Sequence, residues 1–223
     1  MTLKLFFSAL LKLALGLLLV GVFLFLPVGS FSYPHAWLFL ASLGLSMVFV
    51  GGVLFLKNPA LLKKRLHGKE KLKKQGVVVK LSGLMFVTGF VVAGLDFRFG
   101  WSHLSKIVSV IFVGVFFLSF ALYAVVLREN PYLSRTIETQ EDQKVIDTGL
   151  YRVVRHPMYS VTLLLFLSIP LVLGSIYALA VFLAYPFLIA ARIKSEEAFL
   201  EKELKGYSEY KEKVKYRLIP FIW

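Results

Sequence analysis

Residues 149–160, GLYRVVRHPMYS, place two arginines, a histidine and two tyrosines directly before a long apolar run. Pro157 suits the first turn of a helix, and its ring disfavours the helical conformation at His156. Arg155 and His156 should therefore lie at the N-terminal mouth of the helix that the apolar run forms. The unpaired N–H groups and the positive dipole end at such a mouth favour an anion. The stretch therefore predicts a place where a negatively charged group binds.

A second polar segment begins where the apolar run ends, with RIKSEE at residues 192–197. Arg192 and Glu196 are four residues apart, so they share one face of a helix. Arg192 offers a planar fork of donors suited to a carboxylate or a phosphate, and Glu196 can accept from hydroxyl or ammonium groups. Both could serve one site, and the alternative is that they only pair with each other on a solvated helix face.

The apolar run decides whether the two polar segments meet. It spans Met158 to Ala191, 34 residues without a charge. One helix of this length is too long for a bilayer, and Gly174-Ser175 interrupts the run near its middle. We predict a hairpin of two short helices, Met158–Leu173 and Ile176–Ala191. Such a hairpin returns the RIKSEE segment to the side on which GLYRVVRHPMYS lies.

The rest of the chain also indicates membrane helices. Of its 223 residues, 58% are hydrophobic and only 17% are charged, so the solvent of the surface must be lipid. Cysteine is absent, which excludes disulfides and thiolate zinc sites. The predicted fold is an all-α integral membrane protein with six hydrophobic segments, the last two forming the hairpin, and a helical C-terminal tail. The four N-terminal spans are predicted at Leu5–Leu26, His35–Leu56, Val77–Leu95 and Leu104–Leu127.

The positive charges predict the orientation. With six segments, 24 of the 26 Lys and Arg residues fall on the side of the termini, and only Arg98 and Lys106 fall on the other. Positive residues concentrate on the cytoplasmic side of membrane proteins, so both termini and both polar segments should be cytoplasmic. The net charge of +13 therefore suits a membrane surface better than nucleic acid. The basic loop at 57–80 is expected to attract anionic lipid headgroups.

Residues 128–223 resemble the isoprenylcysteine carboxyl methyltransferase and phospholipid methyltransferase family. The resemblance rests on GLYRVVRHPMYS, the apolar hairpin, RIKSEE, GYSEYKEKV and RLIPF. It implies an integral membrane enzyme that uses S-adenosylmethionine, held between the RHPxY segment and the tail. It also implies a lipid-embedded or amphipathic acceptor, such as a prenylated molecule. Residues 1–127 would then be the lipid- and substrate-facing part, and residues 128–223 the catalytic region.

The family's functional positions carry over residue by residue. Gln140 aligns loosely with an upstream glutamine of the family, and Ser160-Val161 replace the family's glycine two residues after the second tyrosine. In R-x(3)-E, Glu196 matches a cofactor contact and Arg192 a substrate-side contact, and these two are the predicted catalytic residues. The other positions that match cofactor contacts are Gln143, Lys144, Val145, Ile146, Tyr151, His156, Pro157, Met158 and Tyr159.

Several functions remain open at this point. The acceptor could be a carboxylate methylated on oxygen or an amine headgroup methylated on nitrogen, and Arg192 favours the anionic one. Sterol-reductase-like membrane enzymes that use NADPH carry a similar R-H-P-x-Y near the C-terminus. A non-enzymatic carrier or scaffold is less favoured, because carriers place polar groups near mid-membrane and, apart from Lys12, these spans hold almost none. Methyl transfer is an in-line displacement that depends on positioning, so no metal is predicted.

Overall fold

The computed structural model describes residues 2–67, 73–102, 104–134, 136 and 139–223. The regular secondary structure of the described residues consists of α-helices and one 3₁₀ turn at Gly149–Arg152. Among the described residues, five apolar segments are long enough to cross a membrane, and Pro157–Val172 is a shorter apolar helix of 16 residues. The helices are α1 Thr2–Val28, α2 Pro34–Lys57, α3 Pro59–His67, α4 Lys73–Phe99, α5 Lys106–Glu129, α6 Pro157–Val172, α7 Ile176–Phe182, α8 Tyr185–Glu203 and α9 Tyr207–Lys213.

The prediction of an all-helical membrane fold is confirmed. The helices α1, α2 and α4 each contain one predicted N-terminal span and extend it by a few residues at both ends. The helix α5 begins at Lys106, two residues after the predicted start at Leu104, and ends two residues after the predicted end at Leu127. The outward faces of these four helices carry exposed leucine, valine and phenylalanine side chains, as a lipid-facing surface requires. The basic loop at 57–80 contains α3, and residues 68–72 of that loop lie outside the described residues.

The apolar run folds back on itself at Gly174-Ser175. Gly174 adopts a left-handed conformation (φ +75°), which glycine tolerates best, and the Ser175 hydroxyl accepts from the Ala178 N–H to cap α7. The returning half differs from the prediction of one helix, Ile176–Ala191. It breaks after Phe182, and α8 begins at Tyr185 with Pro186 in its first turn, where a missing N–H costs little.

The helix α8 also does not end at Ala191 but continues to Glu203. Arg192 and Glu196 therefore lie on a helix that is continuous with the returning half of the hairpin. Their position is thus fixed by the packing of α8 in the membrane region, where the Tyr185 hydroxyl donates to Thr162 on α6 at 2.9 Å and its ring packs against Phe166. The site residues are consequently held by a rigid element.

Hydrogen bonds anchor the tip of the hairpin at the end of the bundle opposite α6's first turn. The Tyr33 hydroxyl donates to the Leu173 carbonyl at 2.6 Å, and the Ile176 N–H donates to the Ser102 hydroxyl at 3.0 Å. Ser175 donates to the Asp96 carboxylate. The tip therefore reaches the level of the α1–α2 and α4–α5 connections. At about 1.5 Å per residue, α6 alone is about 24 Å long, so the first turn of α6 lies at the far end of the bundle.

Close packing of α4 against its neighbours depends on two of its glycines. A Cβ added at Gly94 would lie 2.6 Å from the Leu24 carbonyl oxygen of α1, and one added at Gly89 would overlap the Phe182 ring of α7. A Cβ at Gly83 would meet no other atom within 4 Å. The glycines at 89 and 94 therefore permit contacts that any larger residue would disrupt.

We expect Gly94→Ala to destabilise the protein and Gly83→Ala to leave it unchanged or slightly more stable. The Leu24 carbonyl is backbone and cannot move aside, so α1 and α4 must separate, at a cost of about 1–3 kcal/mol. Thermal unfolding of both variants in the same detergent measures the difference. Equal melting temperatures for the two variants would contradict this account of the α1–α4 contact.

Candidate active site

The segment after α5 is anchored by the last residues of that helix. The Asn130 side chain accepts from the Tyr132 N–H at 3.0 Å and donates to the Tyr151 hydroxyl at 3.0 Å. The Glu129 carboxylate accepts from the Leu150 N–H at 2.9 Å. It occupies the space that a side chain at Gly149 would need, and Gly149 has a φ of +53°. These contacts place the 3₁₀ turn with Tyr151 against the end of α5.

The mouth of α6, formed by Arg155, His156 and Pro157, is covered by the C-terminal tail. The backbone N–H groups of Arg155 and His156 donate to the carbonyls of Tyr216 and Arg217, both at 2.9 Å. His156 is the N-terminal cap residue of α6, and Pro157 stands in its first turn. The tail thus pairs with the mouth over two residues, and the side chains of Arg155 and His156 are buried.

A buried carboxylate of α8 lies at this mouth. Glu197, which is only 2% exposed, accepts from Arg155 Nε at 2.7 Å and from Arg217 Nε at 2.7 Å, and its Oε1 lies 3.3 Å from His156 Nε2. Arg155 Nη1 also donates to the carbonyls of Val214 and Lys215. We call Glu197, Arg155, His156 and Arg217 the Glu197 cluster.

The Glu197 cluster supplies an anion at the mouth of α6, where a negatively charged group was expected to be favoured. The anion at that position is Glu197 of α8, and it engages the Arg155 guanidinium. Glu197 is therefore not part of a solvated helix face. The R-x(3)-E spacing selected Glu196 alone, and the role of Glu197 depends on which face of α8 meets the tail.

A cavity lies beside the cluster, between the 3₁₀ turn, α6, α8 and α9. It encloses about 800 Å³ of empty space, including its opening to solvent. Nine of the ten predicted cofactor-binding residues line it, and so does Arg192. The exception is Pro157, which is buried in the first turn of α6. The predicted residues that line the cavity are Gln143, Lys144, Val145, Ile146, Tyr151, His156, Met158, Tyr159, Arg192 and Glu196.

Two glutamines shape the loop along one side of the cavity. The Gln143 side chain accepts from the Gln140 N–H at 2.9 Å, and the Gln140 side chain donates to the Tyr132 carbonyl at 2.7 Å. Gln140 does not line the cavity, although it also contacts Lys64 of α3. Gln140 therefore supports the loop, whereas Gln143 and its three successors form the wall.

The hydroxyl of Tyr159 lies between Arg192 and Glu196, which were predicted to share one face of a helix. It donates to Glu196 Oε2 at 2.5 Å and accepts from Arg192 Nε at 2.9 Å. Both partners are half-buried and line the cavity, so an exposed surface pair does not describe them. Arg192 Nη1 donates further to Gln75 Oε1 of α4 at 3.1 Å. Glu196 and Arg192 therefore lie on the two sides of one phenol group.

Two tyrosines of α9 belong to the cavity although the sequence motifs did not identify them as site residues. Tyr207 and Tyr210 are buried and line the cavity, and burial raises the pKa of both phenols well above the usual value, so both stay neutral. The Tyr210 hydroxyl donates to the Tyr151 carbonyl at 2.7 Å. The Tyr207 hydroxyl has no hydrogen-bond partner among the described residues. Their spacing of three, on one face of a helix, was the signal available in GYSEYKEKV.

We expect Tyr159→Phe to impair both ligand binding and turnover, because Tyr159 contacts Glu196 and Arg192. Removal of the hydroxyl takes a donor from Glu196 and an acceptor from Arg192 while the buried ring stays in place. Each lost hydrogen bond to a charged group should cost about 1.5–3 kcal/mol. Ligand titration and turnover should therefore both change, whereas Tyr185→Phe, which removes the hydroxyl bonded to Thr162, should change neither by a comparable amount. An effect on only one of the two measurements would contradict the shared role of Tyr159.

Comparison with known proteins identifies the region that carries this cavity. Residues 109–206 match the sequence model of the phospholipid methyltransferase family. This match spans somewhat less than half of the chain. The phospholipid methyltransferase region runs from α5 to the residue before α9 and contains all ten predicted cofactor positions, together with Arg192 and Glu197.

A solved structure extends the likeness of fold beyond the phospholipid methyltransferase region. The protein is similar to the eukaryotic intramembrane Ras methyltransferase ICMT (isoprenylcysteine carboxyl methyltransferase), with a TM-score of 0.55 and 18% sequence identity. The alignment covers 92% of this chain and 74% of that chain, so the fold likeness includes the N-terminal helices. No individually curated protein matches the sequence significantly.

The cavity is not built from the phospholipid methyltransferase region alone. Tyr207 and Tyr210 follow the matched residues, and so does Arg217 of the Glu197 cluster. Gln75, which contacts Arg192, precedes them. Residues outside the matched region thus complete the site from both ends of the chain.

Proposed function

We propose that the protein is an S-adenosylmethionine-dependent methyltransferase acting on a lipid-embedded or amphipathic acceptor. The observation that carries this proposal is the common cavity of nine predicted cofactor positions, which come from three separate stretches of sequence. A set chosen by resemblance alone need not converge in space. The phospholipid methyltransferase match gives the reaction class, and it favours methyl transfer over the NADPH-dependent reductase and over a carrier.

The lining of the cavity fits this cofactor. Glu196 is a carboxylate suited to an ammonium group or ribose hydroxyls, and the Tyr207 hydroxyl is a buried donor that lacks a partner among the described residues. Apolar side chains and tyrosine rings offer a surface for a purine. They are Val145, Ile146, Leu200, Leu204, Tyr151 and Tyr210.

The bound cofactor would supply a methyl group on a positively charged sulfur, and transfer would break the S–C bond, form an O–C or N–C bond, and leave S-adenosylhomocysteine. The chain's own residues position the two reactants for this in-line step. Glu196 holds the cofactor side and Arg192 the acceptor side, with the Tyr159 hydroxyl between them. The guanidinium of Arg192 favours an anionic acceptor, so methylation of a carboxylate oxygen is preferred over methylation of an amine lipid.

Calorimetry of the detergent-purified protein tests the cofactor. S-adenosylhomocysteine should bind and raise the melting temperature, because a ligand that prefers the folded state stabilises it. NADPH should do neither. Protection by NADPH alone would contradict the proposal and favour the reductase. Transfer of a labelled methyl group to a farnesylated cysteine, compared with transfer to phosphatidylethanolamine in vesicles, then distinguishes the carboxylate acceptor from the amine.

We also propose that both termini and the cavity face the cytoplasm. The cavity lies at the end of the bundle opposite Arg98 and Lys106, and 24 of the 26 Lys and Arg residues belong to the cavity's side in the predicted topology. Reporter fusions at Lys4 and Trp223 should both report the cytoplasm. Fusions that report opposite faces would contradict both the hairpin topology and the proposed orientation.

A further inference from the structure

Gln75 is a buried polar residue at the start of α4, outside both the phospholipid methyltransferase region and the segment that resembled the family in sequence. It is only 1% exposed. Its Oε1 accepts from Arg192 Nη1 at 3.1 Å, and its Nε2 is buried without a hydrogen-bond partner among the described residues. The contact with Arg192 joins α4 to α8 at the rim of the cavity.

The unpaired amide indicates that Gln75 is not there for stability. A buried donor without a partner costs free energy, and an apolar side chain of the same size would avoid that cost. The carbonyl oxygen of the same side chain, in contrast, accepts a hydrogen bond from Arg192. Together with the Tyr159 hydroxyl, it fixes the guanidinium of Arg192 at two different nitrogens, Nη1 and Nε. Two contacts of this kind restrict the rotation of the planar group about its bond to the side chain.

We infer that Gln75 is a positioning residue for the methyl acceptor, which orients the donor fork of Arg192 from the N-terminal half of the protein. This inference rests on the proposed function. A guanidinium whose plane is already fixed loses less conformational entropy when it binds a carboxylate bidentately. Gln75 therefore acts on the acceptor through Arg192, and it does not itself line the cavity. The helix α4 thereby contributes an additional residue to a site whose predicted residues all belong to the C-terminal half.

The test compares Gln75→Met, which keeps the volume but removes the oxygen, with Gln75→Glu, which keeps an oxygen for Arg192. Ser46→Ala is the matched control, because Ser46 on α2 also has a buried oxygen without a partner among the described residues. Four quantities are measured in detergent: the melting temperature, the affinity for S-adenosylhomocysteine, the rate at which phenylglyoxal modifies Arg192, and methyl transfer to a farnesylated cysteine with a free carboxylate.

For Gln75→Met we expect an unchanged or higher melting temperature and unchanged affinity for S-adenosylhomocysteine. Arg192 should be modified faster, and the KM for the acceptor should rise by roughly tenfold or more, as for the loss of a hydrogen bond to a charged group. Gln75→Glu should keep the slow modification of Arg192 but weaken binding of the anionic acceptor, because its carboxylate neutralises the guanidinium. Ser46→Ala should change neither the modification rate nor the KM.

Wild-type rates of Arg192 modification and a wild-type KM in Gln75→Met would overturn the inference. A lower melting temperature together with a loss of S-adenosylhomocysteine binding would also overturn it, because Gln75 would then be an ordinary structural residue. If the wild-type protein neither binds S-adenosylhomocysteine nor transfers methyl groups, the proposed function fails. The modification rates of Arg192 still decide whether Gln75 orients that side chain.

Discussion

Glu197→Gln should destabilise the protein by about 3–5 kcal/mol, far more than any other conservative substitution at the site. Glu197 is buried, and its two carboxylate oxygens accept from Arg155 and Arg217 and contact His156. The amide would replace one oxygen with an NH₂ group that faces a guanidinium, and Arg155 would remain as a buried charge without a counter-ion. Breaking one partner of a buried ion pair is costly for this reason.

The neighbouring Glu196→Gln is the matched control for that experiment. Glu196 lies one residue away on the same helix, but it is half-buried, lines the cavity and accepts from Tyr159. Its amide variant should unfold within about 1 kcal/mol of the wild type. Chemical or thermal unfolding of both variants in the same detergent measures the contrast. If Glu197→Gln unfolds like Glu196→Gln, the cluster does not stabilise the mouth of α6.

Glu197→Gln should also weaken binding of S-adenosylhomocysteine, although Glu197 does not line the cavity. The cluster ties the tail to the mouth of α6, and this places His156 and the buried tyrosines of α9 around the cavity. Loosening of the tail should therefore reduce the affinity even under conditions in which the variant remains folded. Unchanged affinity in the folded variant would limit the role of Glu197 to stability.

The sequence predicts the fold of this protein well because its main signals are local. The length of each apolar run sets the span, and the turn is predicted from Gly174-Ser175, since few residues other than glycine adopt a positive φ. The break after Phe182 was missed, because Pro186 is compatible either with a kink inside one helix or with the first turn of a new helix. Only tertiary packing decides between these two outcomes.

The site was predicted less completely than the fold, because the residues that were missed depend on contacts between distant segments. The resemblance supplied ten cofactor positions, and nine of them line one cavity. It did not supply Gln75, which lies in a helix without a diagnostic motif. The R-x(3)-E spacing selected Glu196 but gave no role to Glu197. A step of one residue turns a helix by about 100°, so Glu196 faces the cavity and Glu197 faces the tail.

Arg192→Lys should lower turnover by roughly ten- to hundredfold while leaving the affinity for S-adenosylhomocysteine near the wild-type value. Arg192 uses Nε for Tyr159 and Nη1 for Gln75, so its planar group is held from two sides. A lysine keeps the charge but has a single nitrogen, which cannot reproduce both contacts and also present a fork to the acceptor. The loss should therefore appear in the steps that involve the acceptor.

Glu196→Gln should show the opposite pattern, and the comparison of the two variants is the decisive measurement. Glu196 lies on the other side of the Tyr159 hydroxyl, where it accepts that O–H and lines the cavity between Tyr159 and Leu200. Loss of its charge should weaken S-adenosylhomocysteine binding by roughly ten- to hundredfold. Turnover at saturating cofactor should fall much less.

Because Tyr159 contacts both residues, each variant should also show a small defect in the other measurement, and Tyr159→Phe should combine the two defects. If both variants weaken cofactor binding equally, then Arg192 belongs to the cofactor side of the cavity. If both retain near-normal binding and turnover, as an exposed ion pair worth about 0–1 kcal/mol would predict, neither residue belongs to the active site.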